Sequence, residues 1–161
     1  MLIRAATPQD FDRILLLNSR EQDKTSPLSR ERLQQLHQWS AYHMVAVDGG
    51  IVQGFLLVMD QSSGYDGDHF RWFSARYPRF LYVDRIVIDV SHARRGFAAA
   101  LYRDLIRAAR EAHVPMLCCE INTVPANHGS LCFHARLGFE QLAESAPLPS
   151  GKQVSYQTLG L

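Results

Sequence analysis

The stretch Asp84 to Tyr102, DRIVIDVSHARRGFAAALY, runs from an apolar strand through a short arginine-rich turn into an amphipathic helix. Gly96, Ala98 and Ala99 open the helix with side chains small enough for a ligand to touch the backbone. The first N–H groups of any helix lack intrahelical partners, so this turn is an anion site by construction. Arg94 and Arg95 add charge-assisted donors, which suits a pyrophosphate better than a neutral metabolite. An ordinary strand-turn-helix unit with two solvated arginines is the plainer alternative. Neither G-x-G-x-x-G nor G-x-x-x-x-G-K-[ST] occurs, so a nicotinamide cofactor or a nucleoside triphosphate lacks its usual sequence support.

Around this stretch, the elements order themselves. Leu2 to Ala6 reads as a strand, and Thr7, Pro8 and Asp10 supply a helix start, followed by Phe11, Ile14, Leu15 and Asn18 at helical spacing. Ser29 to Trp39 fits a second helix. Tyr42 to Val47 and Ile51 to Met59 flank Asp48-Gly49-Gly50, a hairpin turn that makes them antiparallel neighbours. Gln61 to Arg79 shows no period and reads as a long working loop carrying Tyr65, Phe70, Trp72, Phe73 and Tyr77. Phe80 to Val90 is the strand of the opening stretch and Arg94 to Ala112 its helix, with Phe97, Leu101 and Leu105 on one side. Pro115 to Ile121 is a further strand, and Asn127 to Leu137 a helix closed by Gly138. Two last strands fall near Glu140 to Glu144 and Gln153 to Leu159. The sum is one mixed α/β domain over residues 1–161, about seven strands with helices on both faces, and a parallel pair between the strands ending near Val90 and Ile121. Ligands of such sheets bind where strands part at their carboxyl ends.

Composition narrows the class. A chain of 161 residues with 47% hydrophobic residues can bury a core without metal or disulfide help. Net charge is +1, and arginine supplies all of the 17 Lys and Arg residues except Lys24 and Lys152, spread along the chain, so nothing points to nucleic acid. Met1 to Thr7 has no signal-peptide apolar region, and no apolar run approaches the ~20 residues that cross a bilayer. A cytoplasmic protein without membrane contact is expected. Cys118 and Cys119 are adjacent on a strand and point to opposite faces, so a zinc site with His128 and His134 is not expected.

Two motifs together resemble the GNAT superfamily of acetyl-CoA-dependent N-acetyltransferases, over essentially the whole chain. Arg85 to Leu101 looks like the family's [QR]-x-x-G-x-[GA] pyrophosphate loop, with Gly96 and Ala98 as its small positions. Asn127 to Phe139, NHGSLCFHARLGF, is similar to the family's asparagine-to-L-G-F segment beside the pantetheine arm. Ala93 stands where Gln or Arg is expected, and His134 where many members carry tyrosine. The resemblance implies a partly splayed central sheet in which Ile86, Val87 and Ile88 hold the pantetheine arm by their backbone. It further implies that Arg94, Arg95, Gly96, Phe97, Ala98 and Ala99 grip the pyrophosphate of acetyl-CoA, with Asn127 and Ser130 on the pantetheine amides. Helix capping is an adequate alternative for either of the last two.

Acetyl transfer to an amine needs a neutral nucleophile, a stabilised oxyanion and a stable leaving thiolate. A primary ammonium has a pKa near ~10.4, so a base is required. Glu120, ending the strand beside the pyrophosphate strand, is the first candidate, against an exposed carboxylate paired with an arginine. Asp84, on the acceptor side, is the second, against a structural pair with Arg85. His134 is the candidate acid for the thiolate, or a group that only packs near the sulfur. Trp72, Phe73 and Tyr77 can cage a cationic amine or form a satellite core, and Asp66 and Asp68 can hold an ammonium. The acceptor would be a small-molecule, amino-acid or peptide amine, attacked directly in a ternary complex, because no cysteine is set up as an acyl-accepting nucleophile. Two other classes stay open: a non-catalytic acyl-CoA-sensing module, encouraged by Ala93, and a metal-dependent hydrolase. A C-terminal edge strand can pair across a homodimer.

Overall fold

The computed structural model describes residues 1–21 and 25–161. Its elements are β1 (Leu2–Ala5), α1 (Phe11–Arg20), α2 (Arg30–Trp39), β2 (Tyr42–Asp48), β3 (Ile51–Asp60), α3 (Asp68–Ser74) and β4 (Leu81–Ile88). They continue with α4 (Phe97–Glu111), β5 (Met116–Val124), α5 (His128–Leu137), β6 (Glu140–Glu144) and β7 (Gln153–Gly160). The strands form one seven-stranded sheet in the order β1-β2-β3-β4-β5-β7-β6. Alternation along β3 divides the core: Leu56 and Val58 face α4 with Leu101, Leu105 and Phe97, while Phe55 meets α1 and α2, and Leu57 and Met59 meet Phe70 and Phe73 of α3. Cys118 lies on the α3 side and Cys119 on the α4 side, so the adjacent thiols do face opposite ways. The β2–β3 hairpin turns on Gly49 and Gly50, both at positive φ.

The parallel pair expected between β4 and β5 is present, but it is short. Only Leu81 with Leu117 and Tyr82 with Cys118 are partnered. Beyond them the strands part. At the same point β4 bulges, since Val58 pairs with Val83 and Leu57 with Arg85, leaving Asp84 without a partner on β3. The extra residue reverses the alternation: Leu81 and Val83 face the α4 side before it, Ile86 and Ile88 after it. Arg85 thereby turns toward α1.

Two expectations are corrected. The stretch 61–79 is no structureless loop, because Asp68 to Ser74 forms α3, a helix of seven residues that is too short to show a period. The helix after the arginine turn starts at Phe97 rather than Arg94, because Arg94 and Gly96 both take left-handed backbone angles, φ 62° and 84°. Among the described residues, no helix is long and apolar enough to cross a membrane.

Candidate active site

The parting of β4 and β5 opens a cleft of about 700 Å³. One wall is the free edge of β4. Asp89 donates its N–H to Gln53 C=O at 2.7 Å, so by alternation the peptide groups of Val87 also face β3. Those of Ile86 and Ile88 face the cleft, where β5 no longer pairs with them. Gly54 permits the close approach of β3 behind this edge: a Cβ there would stand 2.5 Å from Ile88 Cδ1 and 2.9 Å from Val87 O.

The edge leads into the arginine turn. Asp89 anchors it, accepting from Ser91 N–H (3.0 Å), Ser91 Oγ (2.7 Å), Arg13 (2.7 Å) and Arg20 (3.1 Å). The Ser91 hydroxyl and amide, then the Arg13 guanidinium, hold this carboxyl down at about 2 against the desolvation that raises it. The first bond of α4 runs from Ala100 N–H to Gly96 C=O, 2.9 Å, leaving the N–H groups of Phe97, Ala98 and Ala99 without intrahelical acceptors. Arg94 and Arg95 are exposed, and Arg95 lies 3.7 Å from Asp48. A turn of free N–H groups beside an unpaired strand edge fits a pyrophosphate continued by a chain of amides.

Opposite stands β5. The Tyr82 hydroxyl donates to Glu120 Oε2 at 2.6 Å. Burial pushes the Glu120 carboxyl up to about 8; Tyr82 and Arg85 oppose the rise and the Asp84 charge adds to it. Asp84 accepts from the Tyr65 hydroxyl and from Arg85 Nε, the latter at 2.7 Å. On α5, Asn127 caps the helix by accepting from Ser130 N–H (3.2 Å), and His134 is buried. His134 Nδ1 sits 2.8 Å from Ser130 C=O, which can only accept, so the ring proton is on Nδ1 and Nε2 accepts from the Tyr102 hydroxyl at 2.7 Å. Desolvation lowers the His134 pKa, against the opposing hydrogen bond to Ser130.

The GNAT acetyltransferase family model matches residues 9–139. The chain belongs to the GNAT acetyltransferase family. Among solved structures, this acetyltransferase is similar to Ard1 of Thermoplasma volcanium, at a TM-score of 0.81, with 17% identity over 99% of this chain and 97% of that one. The ribosomal-protein-alanine N-acetyltransferase of Brucella melitensis matches at 0.77, with 20% identity over 100% of both chains. The yncA protein of Salmonella typhimurium, solved with its cofactor acetyl-CoA, matches at 0.76, with 19% identity over 100% of this chain and 94% of that one. No curated protein sequence matches the chain.

In this acetyltransferase, Ile86, Val87, Ile88, Ala98, Asn127, Ser130, Asp84, Glu120 and His134 all line the one cleft. Phe97 puts its side chain into the core and leaves only its backbone to the turn. Of the two readings of the aromatic residues, cage or satellite core, their placement matches the core. Phe73 is fully buried, Trp72 stacks on Tyr156 at 4.0 Å under Arg76, and Tyr77 packs on the same cluster, all outside the cleft lining. Asp66 is tied to Arg32 at 2.5 Å, whereas Asp68 reaches the cleft mouth. His134 has Nδ1 against Ser130 C=O and Nε2 against the Tyr102 hydroxyl, the geometry of the neutral packing alternative. Tyr65 of the aromatic segment is on the wall, as are His69, Tyr82 and Tyr102, which the sequence did not single out. Alternation with Glu120 gave no signal for them, because they come from other elements. Among the described residues, no three His, Cys, Asp or Glu side chains gather as a metal site.

Proposed function

We propose that this acetyltransferase moves an acetyl group from acetyl-CoA to a primary amine of a small molecule, amino acid or peptide, by direct attack within a ternary complex. The observation that carries the reading is Glu120, a carboxyl with proton affinity near neutrality, standing where β4 and β5 part. When bound, acetyl-CoA supplies the thioester carbon that is attacked and the thiolate that departs. Ile86 and Ile88 would hold the pantetheine amides, Ile88 N–H would face the thioester oxygen, and the N–H groups of Phe97 to Ala99 would take the pyrophosphate with Arg94 and Arg95 at its flank. Ser130 and Asn127 close the cleft on the α5 side.

Glu120, ionised, takes a proton from the acceptor ammonium, directly or through one water, and the Tyr82 hydroxyl steadies the carboxylate. One N–C bond forms and one C–S bond breaks, and the second proton that the nitrogen sheds on becoming an amide passes to water. A thiol pKa near ~8.5 lets the sulfur leave as thiolate and take its proton from solvent, so no side-chain acid is required. His134 holds the Tyr102 hydroxyl in the cleft floor. Asp68 at the mouth offers an approaching ammonium its charge.

The test is release of free CoA thiol from acetyl-CoA across butylamine, spermidine, glycinamide, free amino acids and an alanine-terminated peptide, with Glu120→Gln beside the parent. The expected parent profile rises with pH through about 8, because only the ionised carboxylate accepts a proton. Glu120→Gln should lose about 10²- to 10³-fold in kcat and the rising limb with it. Undiminished turnover in Glu120→Gln would remove the base from this residue.

A further inference from the structure

Arg85 is buried, yet every nitrogen of its guanidinium has an oxygen partner, from Asp84 beside it and from Asn18 and Ser26 far away along the chain. Its Nε donates to Asp84 at 2.7 Å, one terminal nitrogen to Asn18 Oδ1 at 2.9 Å and Ser26 C=O at 3.2 Å, and the other to Ser26 Oγ at 3.0 Å. Asn18 completes the knot by donating from Nδ2 to Ser26 C=O at 3.0 Å and accepting from the Thr25 hydroxyl at 3.3 Å. Thr25 and Ser26, on the way from α1 to α2, are a wall of the cleft. The bulge at Asp84 is what turns Arg85 to that side, at the point where the sheet opens. A solvated arginine could not do this, and an apolar residue here would leave Asp84, Asn18 and the Ser26 carbonyl short of donors.

We infer that Arg85 is a positioning residue for acetyl transfer: it fixes the Thr25–Ser26 wall of the cleft and holds the Asp84 carboxylate beside the base. The inference rests on the reading of Glu120 as that base. Glu120 is faced by Tyr82, Asp84 and Arg85 from β4, by Tyr65 from the segment before α3, and by Tyr156 opposite it on β7, itself bonded to His69; Cys118 and Cys119 adjoin it on β5. Arg85 and Asp84 are the charged members of this set and act on Glu120 with opposite signs, so the pair sets the proton affinity of the base as well as the shape of the acceptor wall.

The test reads Glu120 directly, by carbon-13 NMR of glutamate-labelled protein, with the resonance assigned by its loss in Glu120→Gln. Exchange of the Thr25 amide, bonded to Glu21 C=O at 2.9 Å, reports the wall. Arg85→Met should raise the Glu120 midpoint by about half a pH unit or more and speed Thr25 exchange about tenfold. Arg85→Met with Asp84→Asn should return the midpoint while exchange stays fast. Arg85→Lys keeps the charge and loses the fork, so the midpoint should hold while exchange rises. Should Arg85→Met not fold, Asp84→Asn alone must lower the midpoint with Arg85 still in place. An unmoved midpoint in Arg85→Met and Asp84→Asn, or unmoved exchange in both Arg85 variants, would overturn the inference. None of these readings needs an acceptor, so they stand apart from whether any amine is acetylated.

Discussion

Two groups displaced in opposite directions, His43 buried and Glu120 half-buried, bear on how this fold answers to mild acid. His43 on β2 is 6% exposed, its Nδ1 lies 2.8 Å from His37 Nδ1, and its Nε2 has no partner. Desolvation first, then the neighbouring His37, lower its pKa from 6.5 to about 3, against a smaller pull from Asp10. Below pH 6.5 the unfolded chain therefore takes a proton that the folded one refuses, and stability falls as pH drops toward 3. Glu120 works the other way between its ordinary 4.5 and about 8, where the folded chain holds the extra proton and gains stability as pH drops. The comparison that isolates His43 is parent against His43→Phe, by urea unfolding from pH 7.5 to 4.5. The stability difference should move in favour of the variant by about 1.4 kcal/mol per pH unit below 6.5, since phenylalanine has no proton to refuse. A difference independent of pH would mean that His43 is protonated in the folded protein. Asp10 and Asp89, both held near 2, lie outside this window.

At the scale of elements, β3, β4 and the turn after them make the wall proposed for acetyl-CoA, and two glycines there have different reasons to be glycine. Gly96 has a φ of 84° and open space beyond it, so Gly96→Ala meets only backbone strain of about 1 kcal/mol. Gly54 has ordinary backbone angles and no space, for the added methyl would press on Val87 O as well as on Ile88. Gly54→Ala should push β4 toward the cleft and raise the KM for acetyl-CoA about tenfold, with a stability loss of about 1 to 3 kcal/mol. Gly96→Ala should lose about 1 kcal/mol of stability, from backbone strain alone, while weakening acetyl-CoA through the displaced N–H groups. Steady-state kinetics and thermal melts of both variants decide it; equal kinetic effects from both would remove the distinction. Legibility in the sequence divides along the same line. The strand, the turn and α4 announced themselves because apolar period, glycine and arginine are local signals; the sequence puts Glu120 at a strand end, whereas β5 runs on to Val124 and holds it mid-strand beside the point where β4 parts from β5. The bulge at Asp84 left no trace in the sequence, because it is a register shift against a strand about 30 residues earlier, and with it went the role of Arg85. Trp72, Phe73 and Tyr77 were legible as an aromatic cluster with two open readings, cage or satellite core, and the sequence could not choose because burial depends on where Tyr156 and Phe80 come to lie.

For the whole molecule, the sheet is two blocks joined at a narrow waist. β1 to β4 and β5, β7, β6 are each continuously paired, whereas the blocks share two residue pairs between β4 and β5, supplemented by side-chain packing on both faces, under α4 on one and through Phe70, Phe73, Tyr82, Cys118 and Tyr156 on the other. The insertion of β7 between β5 and β6 makes the second block cohesive on its own, an order that element sequence alone does not dictate. A ligand lying in the split touches both blocks, so it substitutes for the missing β4–β5 ladder and its binding free energy adds to the cohesion of the fold. At a hundredfold excess over Kd this linkage is worth about 2.7 kcal/mol. CoA should therefore raise the melting temperature and slow amide exchange on both sides of the split at once, at Ile86 and Ile88, at Phe97 to Ala99 and on α5 near Ser130, while β1 and β2 change little. Protection confined to Phe97 to Ala99 would mean that the turn binds phosphate without the pantetheine arm entering the cleft. Protection spread evenly over the chain would mean that the two blocks already unfold as one, and that the waist is no weak point.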